Sequence, residues 1–164
     1  MNKIRLLFNQ ARISTAFRRT TTAAYEKKLQ TGHSAAAIEL EDGTIITAKS
    51  SPLLGCCAAL LLNATKHLAG IDHEVRLIPQ SLIEPIQNTK INYLGGKNPR
   101  LHTDEVLVAL SVLSPDDELC RRALEQLPHL RDCQVHSTVM LGEVDRKIFK
   151  KLGCGLTCDP VRKQ

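Results

Sequence analysis

The residues best suited to chemistry lie where a glycine-rich loop meets a predicted helix. The cluster combines side chains that hold anions with side chains that transfer protons: Asn98, Arg100, His102, Thr103, Asp104 and Glu105. A helix N-terminus offers unpaired backbone N–H groups, and arginine can hold a phosphate or carboxylate through two hydrogen bonds. Histidine can transfer a proton near neutral pH. The pattern predicts binding of a small anionic, phosphate- or nucleotide-like ligand.

The same residues also fit a purely structural interpretation. Thr103 can cap the helix, Asp104 and Glu105 can complement its dipole, and Arg100 can pair with these acids. Both interpretations stay open at this stage. Whether the chain is an enzyme is also open.

His136 is a further candidate ligand contact. His102, one of the neighbouring acids and His136 could form a metal site of mixed nitrogen and oxygen ligands. Consecutive acids at a helix start point in different directions, however, so we predict no metal and no other cofactor. His136 and Ser137 lie in a predicted strand and must face opposite sides of the sheet, so one of them is expected in the core.

Charge is distributed unevenly along the chain. Residues 1–31 hold seven Lys or Arg and one acid, whereas residues 32–164 hold fifteen basic and sixteen acidic residues. The basic character therefore belongs to an N-terminal leader or helix, and a neutral α/β domain is predicted over residues 32–164. Nucleic-acid binding is not expected, because it needs clustered positive charge on the folded part. The leader has the composition of a transit peptide, or alternatively of a surface helix.

The cysteines and the apolar runs indicate the cellular compartment of the protein. We expect no secretory signal, because Lys3 and Arg5 are followed by no adequate apolar stretch, and the longest apolar run is too short for a bilayer span. We therefore expect free thiols in a reducing cytosol, a cytoplasmic location and no membrane contact. The six cysteines are Cys56, Cys57, Cys120, Cys133, Cys154 and Cys158.

Periodicity and turn signals predict alternating strands and helices. Asp42 and Gly43 separate two apolar runs and indicate a β-hairpin. Ser51 and Pro52 are typical of a helix start, and that helix is apolar on nearly all sides. Strands are predicted over residues 35–40, 44–48, 75–78, 133–141 and 155–158. Helices are predicted over residues 53–68, 81–93, 103–113, 114–127 and 143–152. This order indicates an α/β three-layer sandwich around a mixed sheet.

The hairpin and the buried helix, residues 36–47 and 54–59, resemble the opening of the cytidine-deaminase fold. In deaminases the corresponding helix carries a zinc ligand and a proton-shuttling glutamate, and a Pro-Cys-x-x-Cys motif supplies further ligands. Here Ala59 stands in the place of the glutamate, and the motif is absent from the sequence. The resemblance implies a deaminase-like topology without zinc chemistry.

A second resemblance covers nearly everything from Gly32 onward. It rests most strongly on the long, unusual run over residues 94–105. Shorter matching segments cover residues 32–40, 123–128, 136–139 and 149–153. Together they are similar to the C-terminal domain of the uncharacterised bacterial proteins of domain-of-unknown-function family 1846. The resemblance implies a cytoplasmic domain of a longer protein, without an assigned activity.

Two functions follow as expectations. The domain either binds a small anionic ligand through residues 98–105 as part of a metabolic protein, or it is a non-catalytic structural and oligomerisation module. A domain taken from a larger protein exposes an apolar patch that drives association. We therefore expect a homo-oligomer, most simply a homodimer.

Overall fold

The computed structural model describes residues 2–159, with side chains from residue 14 onward. The chain alternates between helices and short strands. The helices are α1 (Asn2–Thr31), α2 (Cys56–Leu68), α3 (Gln80–Asn88), α4 (Thr103–Leu113), α5 (Glu118–Leu124) and α6 (Glu143–Leu152). The strands are β1 (Ala35–Glu39), β2 (Ile45–Lys49), β3 (Gln134–Ser137) and β4 (Gly155–Cys158).

The four strands form one mixed sheet in the order β2-β1-β3-β4. β1 pairs antiparallel with both β2 and β3, and β4 pairs parallel with β3. The hairpin between β1 and β2 turns at Gly43, whose φ of 88° favours glycine. Asp42 supports the turn by accepting the Thr44 N–H at 3.0 Å. The predicted antiparallel hairpin is therefore confirmed.

Helices cover both faces of the sheet. Ala36, Ile38 and Val135 point toward α2 and α6 and share one core with Leu60 and Phe149. The alternate side chains face α1, where Arg19 forms an ion pair with Glu39. Ala16, Thr20 and Ala24 of α1 are buried. The α/β class with a mixed sheet is as the sequence predicts.

A second apolar cluster lies beyond α2, away from the sheet. It joins the far side of α2 to α3, α4 and α5 through buried side chains that include Leu101, Val106 and Leu110. α2 is therefore packed on two sides, which explains its nearly continuous apolar character. Leu60, Leu61 and Leu62 are all buried, as the sequence predicts.

The predicted start of α2 is wrong by several residues. Gly55, not Ser51, is the N-cap, and the helix begins at Cys56. The Ser51 hydroxyl instead accepts the Leu53 and Leu54 N–H groups, each at 3.2 Å. Leu54 forms a bridge with Leu101, which holds this segment extended. The serine and proline therefore shape a turn before the helix.

Other predicted elements also change. The strand expected over residues 75–78 does not form, because Leu77 and Ile78 bury their side chains in the second cluster from an irregular segment. The strand expected over residues 133–141 contracts to β3. The helix expected from residue 114 begins after Asp117, whose carboxylate accepts the Leu119 and Cys120 N–H groups.

The helix predicted over residues 81–93 divides in two. α3 contains Pro85 and ends at Asn88, and a π-helical turn, Thr89–Tyr93, continues the chain. A side chain at Gly96 would contact the Lys90 carbonyl oxygen at 2.9 Å, so only glycine lets the loop fold back on this turn. Among the described residues, no helix has both the length and the apolar content to cross a membrane.

Candidate functional site

The predicted site residues at the start of α4 form a closed hydrogen-bonded turn. His102 is the N-cap of the helix, so Thr103 is its first residue and not its cap. The His102 N–H donates to Glu105 Oε1 at 2.8 Å, the return bond typical of a capping box. Before the helix, Asn98 Oδ1 accepts the Arg100 N–H at 3.0 Å and fixes the approach of the loop.

Lys90, in the π-helical turn, fastens this loop from the other side. Its Nζ lies 2.8 Å from Glu105 Oε1 and donates to the Arg100 carbonyl at 2.7 Å. The Lys90 side chain is 15% exposed. Glu105 is therefore neutralised by Lys90, which the sequence did not indicate as a site residue.

Asp145 of α6 occupies the N-terminus of α4. Its Oδ1 accepts both the Thr103 N–H at 3.0 Å and the Thr103 hydroxyl at 2.6 Å. Its Oδ2 lies 3.8 Å from His102 Nδ1. Asp145 is 5% exposed, and a carboxylate at this position is stabilised by the positive end of the helix dipole. It is the second site residue that sequence reasoning missed.

Arg100 does not pair with the neighbouring acids, contrary to the structural interpretation of the sequence. Its Nε donates to the Ser51 carbonyl at 2.6 Å, and it joins the loop to the segment before α2. Within residues 14–159 its two terminal nitrogens have no protein partner. Asp104 instead accepts the Glu105 N–H at 2.8 Å.

The electrostatics of the helix start follow from these bonds. The N–H groups of His102, Thr103 and Glu105 all donate to carboxylates of the protein itself. These three donors are therefore not free for an external anion. The outer part of the Arg100 guanidinium remains available to a ligand.

His136 lies apart from this cluster, on the α1 face of the sheet. Its Nδ1 is 2.7 Å from Thr157 Oγ1, and its Nε2 is 3.2 Å from Asp159 Oδ1. Tyr25 of α1 donates to the other oxygen of Asp159, and the Phe17 ring meets the imidazole edge-on. The structure therefore does not bring His136 and His102 into one metal site.

Ser137 faces the opposite side of β3, as the strand alternation requires. It is buried, and its hydroxyl donates to the Val139 carbonyl at 2.9 Å. Both His136 and Ser137 are buried, because α1 covers one face and α2 the other. In the region with described side chains, no three His, Cys, Asp or Glu residues converge to hold a metal ion.

The cysteines are free thiols. Burial raises the pKa of Cys120 and of Cys133 to about 11, and that of Cys154 to about 12. A thiol with a raised pKa is less often a thiolate and is a weaker nucleophile at neutral pH. These three cysteines are therefore poor candidates for a nucleophile at neutral pH.

Beside the start of α4 lies an apolar groove of about 510 Å³ between α3 and α4. Val108 and Val112 stand on its rim and are 62% and 65% exposed. The lining residues are Ser81, Leu82, Pro85 and Ile86 of α3 with Asp104, Glu105, Val108, Ala109 and Val112 of α4. We call this surface the α3–α4 groove.

These features define a small mixed α/β domain with a self-neutralised helix start beside an exposed apolar groove. Residues 16–164 match the family described as "Domain of unknown function DUF1846, C-terminal", and the chain belongs to that family. This confirms the resemblance seen in the sequence.

Named relatives are UPF0371 proteins of bacteria. One from Corynebacterium aurimucosum is 55% identical over 93% of this chain and 30% of its own length. One from Corynebacterium urealyticum is 50% identical over 97% of this chain and 32% of its own length. One from Streptococcus thermophilus is 42% identical over 98% of this chain and 32% of its own length. The chain thus spans about a third of the length of these relatives.

Proposed function

We propose that this domain is a structural assembly module, and that two copies of it associate through the α3–α4 groove. The observation that carries the proposal is the exposure of Val108 and Val112 beside an apolar groove. Large exposed apolar surfaces on soluble domains are typical of protein–protein contacts. Water removal from these side chains is the driving force for association.

The arrangement of α4 suits a contact with a second copy. Val108 and Val112 are four residues apart and share one helix face, whereas Val106 and Leu110 on the other face are buried inside the domain. In a two-fold contact, the valines of one copy enter the groove of its partner and receive the partner's valines in return.

Sedimentation equilibrium of the chain and of the double variant Val108→Glu/Val112→Glu tests the proposal. The wild type is expected to associate and the variant to be a monomer, because each glutamate would be buried unpaired in the contact. Leu29→Glu is the control, since Leu29 is 83% exposed on α1, away from the groove. A double variant that associates as the wild type does would refute the proposal.

A second function, binding of a small anionic ligand by residues 98–105, is favoured by one observation. The terminal nitrogens of Arg100 have no protein partner in the described residues, and a guanidinium with open donors suits phosphate. The site would use Arg100 and the neighbouring Asn98, with His102 at the edge. His136 is buried on the other face of the sheet with both ring nitrogens bonded, and it lies outside this site.

We also propose that the sheet has the cytidine-deaminase-like topology. The support is a hairpin followed by a buried helix and a parallel strand pair. Ala59 in α2 replaces the proton-shuttling glutamate, so the proposal carries no deamination chemistry. Incubation with cytidine or adenosine and zinc is expected to release no ammonia, and stoichiometric zinc with ammonia release would contradict it.

A further inference from the structure

β4 is an edge strand with an open side. It pairs only with β3 among the described strands. The Gly155 N–H donates to the Cys133 carbonyl, and the Asp159 N–H donates to the Ser137 carbonyl. Since residues of a parallel strand point alternately to the two sides, the N–H and C=O groups of Leu156 and Cys158 point outward.

At the other edge of the sheet, formed by β2, a side chain is bonded to an outward main-chain group. The Thr47 carbonyl of β2 points away from β1, and it accepts a hydrogen bond from Asn63 Nδ2 of α2 at 3.0 Å. This bond occupies one of the outward groups of the β2 edge. Among the described residues, no side chain forms such a hydrogen bond with the outward main-chain groups of Leu156 or Cys158. An uncovered edge is a template for another strand.

A basic groove of about 380 Å³ runs beside this open edge. Leu156 and Cys158 supply one wall, and Arg146 and Lys150 of α6 supply the other, together with Cys154. Arg146 and Lys150 are exposed, and neither forms an ion pair with any described acid. Arg146 donates through Nε to the Leu141 carbonyl at 3.1 Å, and its Nη2 lies 4.0 Å from Cys158 Sγ, so its guanidinium faces β4.

We propose that the β4 edge binds an extended, acidic segment of a partner protein as a fifth strand. The partner's main chain would pair with the outward groups of Leu156 and Cys158. Two of its carboxylates, on residues two apart, would meet Arg146 and Lys150. The surface is distinct from the α3–α4 groove, and the inference goes beyond the proposed association.

The spacing of the two basic side chains fits such a segment. Residues four apart in a helix are separated by about 6 Å along the axis. Alternate residues of a strand, which point to the same face, are separated by about 6.7 Å. A second copy of this chain is a poorer occupant, because pairing two β4 edges would bring two sets of Arg146 and Lys150 together.

The experiment is fluorescence anisotropy with a labelled seven-residue peptide of alternating valine and glutamate. The acidic peptide is expected to bind, and the same peptide with lysine in place of glutamate is not. A form of the acidic peptide methylated on alternate backbone nitrogens is expected to lose binding, because it cannot form main-chain hydrogen bonds. Equal binding by the lysine peptide or by the methylated peptide would overturn the proposal, as would no binding at about 1 mM acidic peptide.

A matched pair of variants locates the binding site. Lys150→Glu is expected to weaken binding of the acidic peptide by about tenfold or more, because a favourable charge contact becomes repulsive. Lys147→Glu makes the same change of charge on α6 outside the groove, and is expected to change the affinity by less than about twofold. In NMR hydrogen exchange, the Leu156 and Cys158 amides should become protected when the peptide binds. Equal effects of the two variants, or unprotected amides, would contradict the assignment.

Discussion

Truncation of Val112 to alanine removes two methyl groups from the surface that is proposed to join two copies. The side chain is 65% exposed in the single chain, and this is the area that association can bury. With about 0.8 kcal/mol for each buried carbon, the change costs about 1 kcal/mol in each copy. A two-fold dimer contains the change twice, so association weakens by about 2 kcal/mol, or about thirtyfold in Kd.

Sedimentation equilibrium over a concentration series measures this Kd for the wild type and for Val112→Ala. Val144→Ala is the control, because Val144 is a 43% exposed valine on α6 outside the groove, and its truncation should leave Kd unchanged within about twofold. Urea unfolding should show that Val112→Ala keeps its monomer stability within about 0.5 kcal/mol. If both variants shift Kd equally, or neither shifts it, the reasoning about the α3–α4 groove is refuted.

Three further predictions concern the rest of the molecule. Asp145→Asn should lower the free energy of unfolding by about 1.5–3 kcal/mol in urea, because charge-assisted bonds to Thr103 are weakened; the exposed Asp116→Asn is the control, and equal stability of the two would contradict it. Phosphate should raise the Tm of the wild type but not of Arg100→Ala, which should stay folded although loss of its bond to the Ser51 carbonyl costs about 1.5–3 kcal/mol. An equal rise of Tm with phosphate in the variant would contradict the assignment of Arg100 to the site. Burial raises the pKa of Cys133 to about 11 and of Cys154 to about 12, so little thiolate is present at pH 8. The rate of alkylation of these two cysteines, followed by mass spectrometry, should therefore rise with pH up to those values. A rate that reaches its plateau near pH 9 would disprove the shifts.

Strong local signals predicted the corresponding elements well. Asp42 and Gly43 specify the hairpin turn through backbone conformation and one short-range hydrogen bond. α6 and its termination at Gly153, which has a φ of 84°, follow from amphipathic spacing and a left-handed C-cap. α4 has the predicted bounds for the same reason, since its periodicity and its acidic first turn agree.

Elements that depend on distant partners were predicted poorly. Ser51 and Pro52 look like a helix start, but the Leu101 strand bridge holds the following residues extended. Residues 75–78 have the composition of a strand, yet none of the described strands pairs with them. In both cases tertiary packing determines the local structure, and the local sequence pattern does not indicate these distant contacts.

The candidate site shows the same contrast between local signals and distant partners. The residues of the 98–105 segment were identified from their types and spacing. Lys90, which pairs with Glu105, and Asp145, which accepts two bonds from Thr103, lie 15 and 42 residues away from the groups they contact. An isolated lysine in a polar turn and an aspartate in the first turn of a helix are common, so only the fold reveals their role.

The most direct test of the proposed association is sedimentation velocity of the unmodified chain at high micromolar concentration. The account predicts a species of twice the 18.1 kDa chain mass, whose fraction falls on dilution and disappears in Val108→Glu/Val112→Glu. A strict monomer at every concentration would contradict it, and would mean that the α3–α4 groove does not join two copies of this chain.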